Sequence, residues 1–325
     1  PETYALYLKA RSLRRQNDKE SLLQAERLLR QVVDVDPDYL PALDDLITVY
    51  TNGAYSQVWP YAEGFELARE LTQSSLTRFP DFARFWVHMG WVQAFFDGDY
   101  AAAAASYERA LRLDDRNLRS LGDTATFLLY IGRFEAALKL HELLLAADPL
   151  HPVSYANGAI ALMAADKAEE SIPLLQRLLI LSPGYPYVHS HLARALLLSD
   201  RPAEALIHAE QEADPAYRLT ALAMAQHSAG QPGESVSSLE QLAALHGDRS
   251  PYLVATAMVW TGDVDGAFEW LERAKQADDF MIGDAHIDPI LDGLHADRRW
   301  IPLLESMGVS PAQLEQISFE YVPGQ

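Results

Sequence analysis

Ten histidines, 46 aspartates and glutamates and no cysteine are the residues with which this 325-residue chain could do chemistry. Without a thiol there is no disulfide, thiolate zinc site, iron–sulfur cluster or cysteine nucleophile. The histidines are scattered. His189 and His191 flank Ser190, and two positions on a helix point about 200° apart, so they do not close on one ion. No H-E-x-x-H occurs. Asp278, Asp279, Asp284, Asp288, Asp292 and Asp297 crowd one stretch. They lack the alternating acidic spacing and central glycine of a calcium loop, and read as solvated and helix-capping carboxylates. There is no G-x-S-x-G nucleophile turn and no glycine-rich phosphate cradle. Among 46 acids no one pair stands out as a general acid and base. These residues predict no enzyme, no metal and no cofactor.

Charge narrows the partners. Against 26 Lys and Arg, the acids leave a formal net charge of −20. Phosphate binding needs a basic surface, so nucleic acid and anionic lipid are both excluded as expected partners. The acidity is uneven: residues 261–325 hold 13 acidic and 4 basic side chains, while residues 1–35 hold 5 and 7. No apolar run approaches the ~18 residues of a membrane span, so no insertion is expected. The start at Pro1, without Met or a signal pattern, reads as part of a longer protein.

The elements that must position any site come from a repeat. Apolar residues recur at spacings of three and four, which predicts helix throughout and no strand. Helix-closing positions Pro37, Pro80, Asp115, Pro149, Pro183 and Pro215 are 43, 35, 34, 34 and 32 residues apart. Small residues form two columns. Gly90, Ala125, Ala159, Ala193, Ala223 and Ala255 fall on first helices; Ala25, Ala68, Ala103, Ala137, Ala205 and Ala267 fall on second helices. Small side chains let paired helices approach closely. Ser171 and Ser235 stand in the second column and read as packing residues. A period near 34 with Trp86-Val87-His88-Met89-Gly90 and Gly132-Arg133-Phe134-Glu135-Ala136-Ala137-Leu138 resembles the tetratricopeptide repeat. The expectation is an all-α right-handed solenoid. Residues 1–280 form about eight helix pairs and residues 281–325 form capping helices, in one continuous array. Asp288-Pro289 and Ser310-Pro311 read as helix starts. Leu303, Leu304 and Met307 would cover the open apolar end.

Two departures stand out. The second repeat is about nine residues too long, placed at Thr51–Tyr61. Its Tyr55, Trp59 and Tyr61 read either as a loop contact surface or as packing on the adjacent repeat. Pro173 falls inside a second helix and should kink or delay it.

First helices of such an array line its concave face. The small column predicts that Arg84, Trp91, Phe95, Arg119, Tyr130, Met163, Tyr187, Arg194, Met224 and Trp260 point inward. That gives an aromatic, Met-rich groove with three arginines, suited to an amphipathic helix or extended peptide. No Lys or Asn stands at these inward positions, against a carboxylate-clamp role.

Both ends of the chain extend the resemblance. Pro1-Glu2-Thr3-Tyr4-Ala5-Leu6-Tyr7-Leu8-Lys9-Ala10-Arg11 is similar to the AYxLYLxGR opening of a bacterial family. Asp288-Pro289-Ile290-Leu291-Asp292-Gly293-Leu294, continuing to Asp297-Arg298-Arg299-Trp300-Ile301-Pro302-Leu303-Leu304, resembles its DPxFDPLRxDPRFxxLL ending. These mark the C-terminal tetratricopeptide region of bacterial signalling proteins. Their N-terminal part is a winged-helix activator (CadC/ToxR-like), a TolB-like domain or an adenylate cyclase. The resemblance implies a non-catalytic regulatory module that binds a protein or peptide. It lies in the bacterial cytoplasm or periplasm, with an upstream effector and often an upstream membrane helix. Two other readings stay open: a sensor of a small anionic ligand held by Arg84, Arg119 and Arg194, and the accessory region of a nucleotide cyclase. Homodimerisation through the aromatic loop or a terminal repeat is a further expectation.

Overall fold

Eight residues with left-handed backbone, 30 to 41 apart, mark the tight turns of a repeating helix–turn–helix unit: Asn17, Gln57, Gly98, Gly132, Asp166, Asp200, Gly230 and Gly262. Glycine takes this conformation without a Cβ clash, and Asn or Asp at small cost. Gly98, Gly132, Gly230 and Gly262 fill this turn with glycine; the other four repeats use Asn, Gln or Asp. The computed structural model describes residues 2–277 and 279–321, so Pro1, Asp278 and residues 322–325 lie outside the described residues.

The first helices are α1 (Glu2–Arg14), α3 (Leu40–Tyr55), α5 (Ala83–Phe95), α7 (Leu118–Tyr130), α9 (Pro152–Ala164), α11 (Val188–Leu198), α13 (Pro215–Ser228) and α15 (Pro251–Thr261). The second helices are α2 (Lys19–Val35), α4 (Tyr61–Arg78), α6 (Tyr100–Leu113), α8 (Phe134–Ala147), α10 (Ala168–Leu181), α12 (Pro202–Gln211), α14 (Pro232–His246) and α16 (Val264–Gln276). Among the described residues there is no strand. The chain divides into two compact units. One holds residues up to Thr124 together with 317–321; the other begins at Ala125 and runs to Gln316.

The small columns do what close packing requires. Every alanine in them is buried, and so are Gly90, Ser171 and Ser235. Ser235 Oγ donates to the Ala223 carbonyl at 2.7 Å, tying α14 to α13. Pro152, Pro202, Pro215, Pro232 and Pro251 each open a helix, where the missing N–H has no partner to lose. Pro215 thus begins a helix instead of closing one. α10 runs from Ala168 through Pro173 to Leu181 without a delayed start. Only one intrahelical bond is forfeited there, and Ile172, Leu175 and Leu178 keep that helix buried in the core.

The surplus length of the second repeat goes into helix, not loop. α3 and α4 have 16 and 18 residues, against 13 and 14 for α5 and α6. Tyr55 ends α3 and Tyr61 begins α4, which leaves only Trp59 in the connection. The rings pack inward. Trp59 meets Tyr50 edge-on at 5.6 Å, and Tyr55 meets Phe65 at 5.6 Å. Tyr61 sits 4.8 Å from Phe65 and donates to the Phe95 carbonyl at 2.8 Å.

Residues after α16 have two distinct placements. α17 (Trp300–Ser306) lies against the last pair, and α18 (Pro311–Glu315) follows it, with Gln313 donating to the Glu305 carbonyl at 3.4 Å. Trp300, Leu303 and Leu304 are buried there, Lys275 reaches Ser306 at 2.7 Å, and the Arg299 guanidinium lies 4.2 Å from the Phe268 ring centre. Residues 280–294 form instead two 3-10 turns, Phe280–Asp284 and Pro289–Leu294, laid against the first helices of the second unit. They do not fit the helix period because they are not repeat helices.

Candidate functional site

In the first unit the first-helix face is crossed by an ionic ladder. Asp44 on α3 accepts from Arg84 Nε at 3.1 Å and Arg119 Nη1 at 2.7 Å, and lies 2.6 Å from His88 Nε2. Arg84 Nη1 also donates to Asp123 at 2.7 Å. Arg14 Nε lies 3.1 Å from Asp45, and Arg119 lies 3.6 Å from the same carboxylate. Burial raises the Asp44 carboxyl, but Arg84, His88 and Arg119 together hold it well below the usual carboxylate range. Burial lowers His88 despite the pull of Asp44, so this imidazole stays neutral beside two arginines. Three arginines meet three aspartates, and the face carries no net charge from this set.

Arg84 is therefore buried and fully occupied, while the Arg119 side chain keeps 43% of its surface exposed. Trp91 and Phe95 lie further along α5, half-buried, with rings 4.4 Å apart. Trp91 Nε1 donates to the Tyr55 hydroxyl at 3.1 Å. The rings of the lengthened second repeat thus support the α5 aromatics from behind.

In the second unit the chain's own residues 279–294 lie on the first-helix face. Asp279 accepts from the backbone N–H groups of Tyr252 and Met281, both at 3.1 Å, which starts the segment beside α15. Met281 packs against the α9–α15 core, with its Sδ 3.5 Å from the Tyr217 hydroxyl. Asp284 accepts from the Tyr130 hydroxyl at the end of α7, and His286 Nε2 lies 2.7 Å from the Tyr130 carbonyl oxygen. Asp288 accepts from Arg194 Nη2 at 2.5 Å and from the Tyr252 hydroxyl at 2.9 Å, and caps the second 3-10 turn at Ile290. Ile290, Leu291 and Leu294 are buried below it.

Asp279 and Asp288 cap the two 3-10 turns and Asp292 is exposed, as solvated and capping carboxylates would be; the groove contacts of Asp284 and Asp288 depart from that reading. Asp288 is buried, and burial also pushes Asp284 up to about 6, with the nearby Asp288 carboxylate adding to the shift and the Tyr130 hydroxyl opposing it. Burial disfavours the Arg194 charge, but Asp288 turns the net shift upward. Burial and Arg194 push His191 down to about 4. Among the described residues no three His, Asp or Glu side chains gather as a metal site.

The remaining sequence-predicted positions separate by burial. Met163 and Met224, 5% and 1% exposed, are core residues with no surface to offer a partner. They fill space between helices because the inward register of α9 and α13 turns them into the pair interface. Tyr187 is 38% exposed and stacks on Tyr217 at 4.0 Å. Trp260 is half-buried and donates to Ser228 Oγ at 2.8 Å. Tyr130 and Arg194 do point into the groove, where Asp284 and Asp288 engage them. The sequence reading missed Asp284, His286 and Tyr252. The available signal was the failure of residues 281–294 to keep the helix period while still carrying Met281, Ile282, Ile287, Ile290 and Leu291.

A tetratricopeptide-repeat family model matches residues 93–152 and 157–218. No curated protein matches the chain. Among solved structures, a tetratricopeptide repeat protein from Parabacteroides merdae is 12% identical and superposes with a TM-score of 0.51, covering 80% of this chain and 99% of its own. The human IFIT1 dimer with m7Gppp-AAAA is 13% identical with a TM-score of 0.58, covering 80% of this chain and 70% of that one. The hetero-tetramer Cut9-Hcn1 gives 12% identity and a TM-score of 0.54, with 83% and 53% covered. At such identities the likeness establishes the fold alone. The chain carries tetratricopeptide repeats and folds as an all-α solenoid of that type, with capping helices at its C-terminal end.

Proposed function

We propose that this chain is a non-catalytic interaction module that binds a peptide or helix on its first-helix face. The observation that carries the reading is the groove of the second unit, where residues 279–288 lie as a segment of 3-10 and tight turns on side chains from α7, α11, α13 and α15. A face that holds one stretch of polypeptide through tyrosine hydroxyls, an arginine and apolar contacts has the chemistry to hold another. The half-buried Trp91, Phe95 and Trp260 are the aromatic anchors of the reading, since rings of this kind carry most of the binding energy in such interfaces. The regulatory setting, as one half of a bacterial signalling protein or transcriptional regulator, is supported by the resemblance of residues 1–11 and 288–304 to that family's opening and ending.

The anionic-ligand alternative has lost its support. Arg84, Arg119 and Arg194 each already pair with an aspartate of the chain. A photoreactive amino acid at Trp91 or Trp260 tests the proposal in cells. Adducts with a protein partner are expected from these positions and not from Ile180 or Val236, exposed on the second helices. Equal labelling from both faces, or none from the first-helix face, would overturn it.

A further inference from the structure

We infer that residues 280–287 form a lid, hinged at Asp279 and Asp288, over a binding surface for a short turn-forming acidic–apolar peptide that the lid itself imitates. The inference rests on the interaction-module reading and names its partner class. The two ends of the segment are firmly fixed. Asp279 holds two backbone N–H groups, and Asp288 is clamped by Arg194 and Tyr252 above buried Ile290 and Leu291.

The span between them is held differently. It begins as a 3-10 turn, whose hydrogen bonds are poorer than those of an α-helix. Phe280 is exposed. Asp284 is partly buried with the Tyr130 hydroxyl as its hydrogen-bond donor, and no cation lies within ion-pair distance among the described residues. A partly desolvated carboxylate without a paired cation is incompletely compensated, which weakens the closed lid when the group is ionised. The other side-chain ties are an imidazole contact to the Tyr130 carbonyl oxygen, a 3.5 Å hydroxyl–sulfur contact, and the apolar burial of Ala285 and Ile287 with Met281 packed on the core. Such a segment belongs to the low-stability end of a fold, where local opening precedes global unfolding.

What opening uncovers is specific. The floor offers the Tyr130 hydroxyl and backbone carbonyl, the Tyr217 hydroxyl stacked on Tyr187, and the apolar site of Met281. Arg194 Nε is also buried without a partner. The lid fills this floor with a methionine followed three residues later by a carboxylate. Residues three apart share a face in a 3-10 turn, so the surface fits a segment of that pattern in the same turn, and an occupant in trans can use the free Arg194 nitrogen that the lid leaves idle.

Two experiments on the full chain test this. In the wild type, hydrogen exchange at residues 280–287 is expected to be at least about 100-fold faster than at residues 290–294 and in α15; equal protection would show a permanent piece of core and overturn the inference. Second, a labelled peptide with the sequence of residues 279–288 is added to the wild type and to Asp284→Arg, whose lid does not fit the site. Binding to the variant at least ten-fold tighter is expected, reduced again by adding Tyr130→Phe and absent for a scrambled peptide. Equal affinity for both proteins would overturn it. Helical circular dichroism reports whether the variants fold, and the exchange result needs no variant. Partner adducts without lid opening would refute this inference alone. Lid opening without partner adducts would refute the interaction reading alone.

Discussion

His141 lies inside the second unit in the column that holds Tyr107, Leu175, Leu239 and Leu271 in other repeats. Neither of its ring nitrogens has a hydrogen-bond partner, and burial pushes it down from 6.5 to about 4. The neutral form is thus the one the fold accepts. A depressed folded pKa contributes stability above the unfolded value, and that stability is lost as pH falls from about 6.5 toward 4. The shift corresponds to at most about 3 kcal/mol. His141→Leu, which restores the residue type of the neighbouring repeats, is expected to raise the melting temperature at pH 5 by more than at pH 7.5. An equal change at the two pH values would contradict the account. His191 titrates in the same direction, so the variant removes only part of the acid sensitivity. At this scale the ionic ladder around Asp44 shows why charge counts mislead. Arginines that look available in the sequence are neutralised by aspartates 39 to 75 residues away.

At the scale of the helix pair, the repeat is a contract between columns. A Cβ built on Gly90 would meet the Tyr107 ring at 2.8 Å, closer than atoms tolerate. α5 therefore gives up a methyl group so that α6 can bury a tyrosine where the fifth repeat combines Ala159 with Leu175. Gly90→Ala alone is expected to cost about 1–3 kcal/mol by overpacking. The double variant Gly90→Ala with Tyr107→Leu should be more stable than the sum of the two single changes by about 1 kcal/mol or more. Urea unfolding of the four proteins measures that coupling; strict additivity would show that the columns do not compensate. The same logic explains the second repeat, where extra residues lengthen α3 and α4 and their aromatic ends pack on Phe65.

For the molecule as a whole, the net charge of −20 acts on association more than on fold. The lid with its two hinges is itself acidic, through Asp284 and the hinge residues Asp279 and Asp288. A peptide of that sequence approaches a surface of its own sign, and added salt screens that repulsion over about 10 Å at 0.1 M. Its association rate with the lid-opened Asp284→Arg chain is expected to rise several-fold between about 20 and 150 mM salt, while dissociation changes little. A falling rate in stopped-flow measurements would show instead that local positive charge at Arg194 steers the encounter. No helix of the described residues is long and apolar enough to cross a membrane.

The helix pairs were legible because their causes are local and repeated. Apolar spacing, small columns and opening or closing prolines recur at nearly one period, so each repeat states the same packing rule. Arg194 and Tyr130 stand on first helices whose direction the small column sets. The tertiary structure decided who meets them. Asp284 and Asp288 lie 154 and 94 residues from their partners Tyr130 and Arg194. Nothing local marks such a pairing: an aspartate before a proline looks the same whether it caps a helix in water or also holds a buried arginine. Burial divided Met163 and Met224 from Tyr187 for a related reason. Spacing gives a side chain's direction on its own helix, but the neighbouring helix and the returning segment determine whether that direction ends in core, in a groove or under a lid.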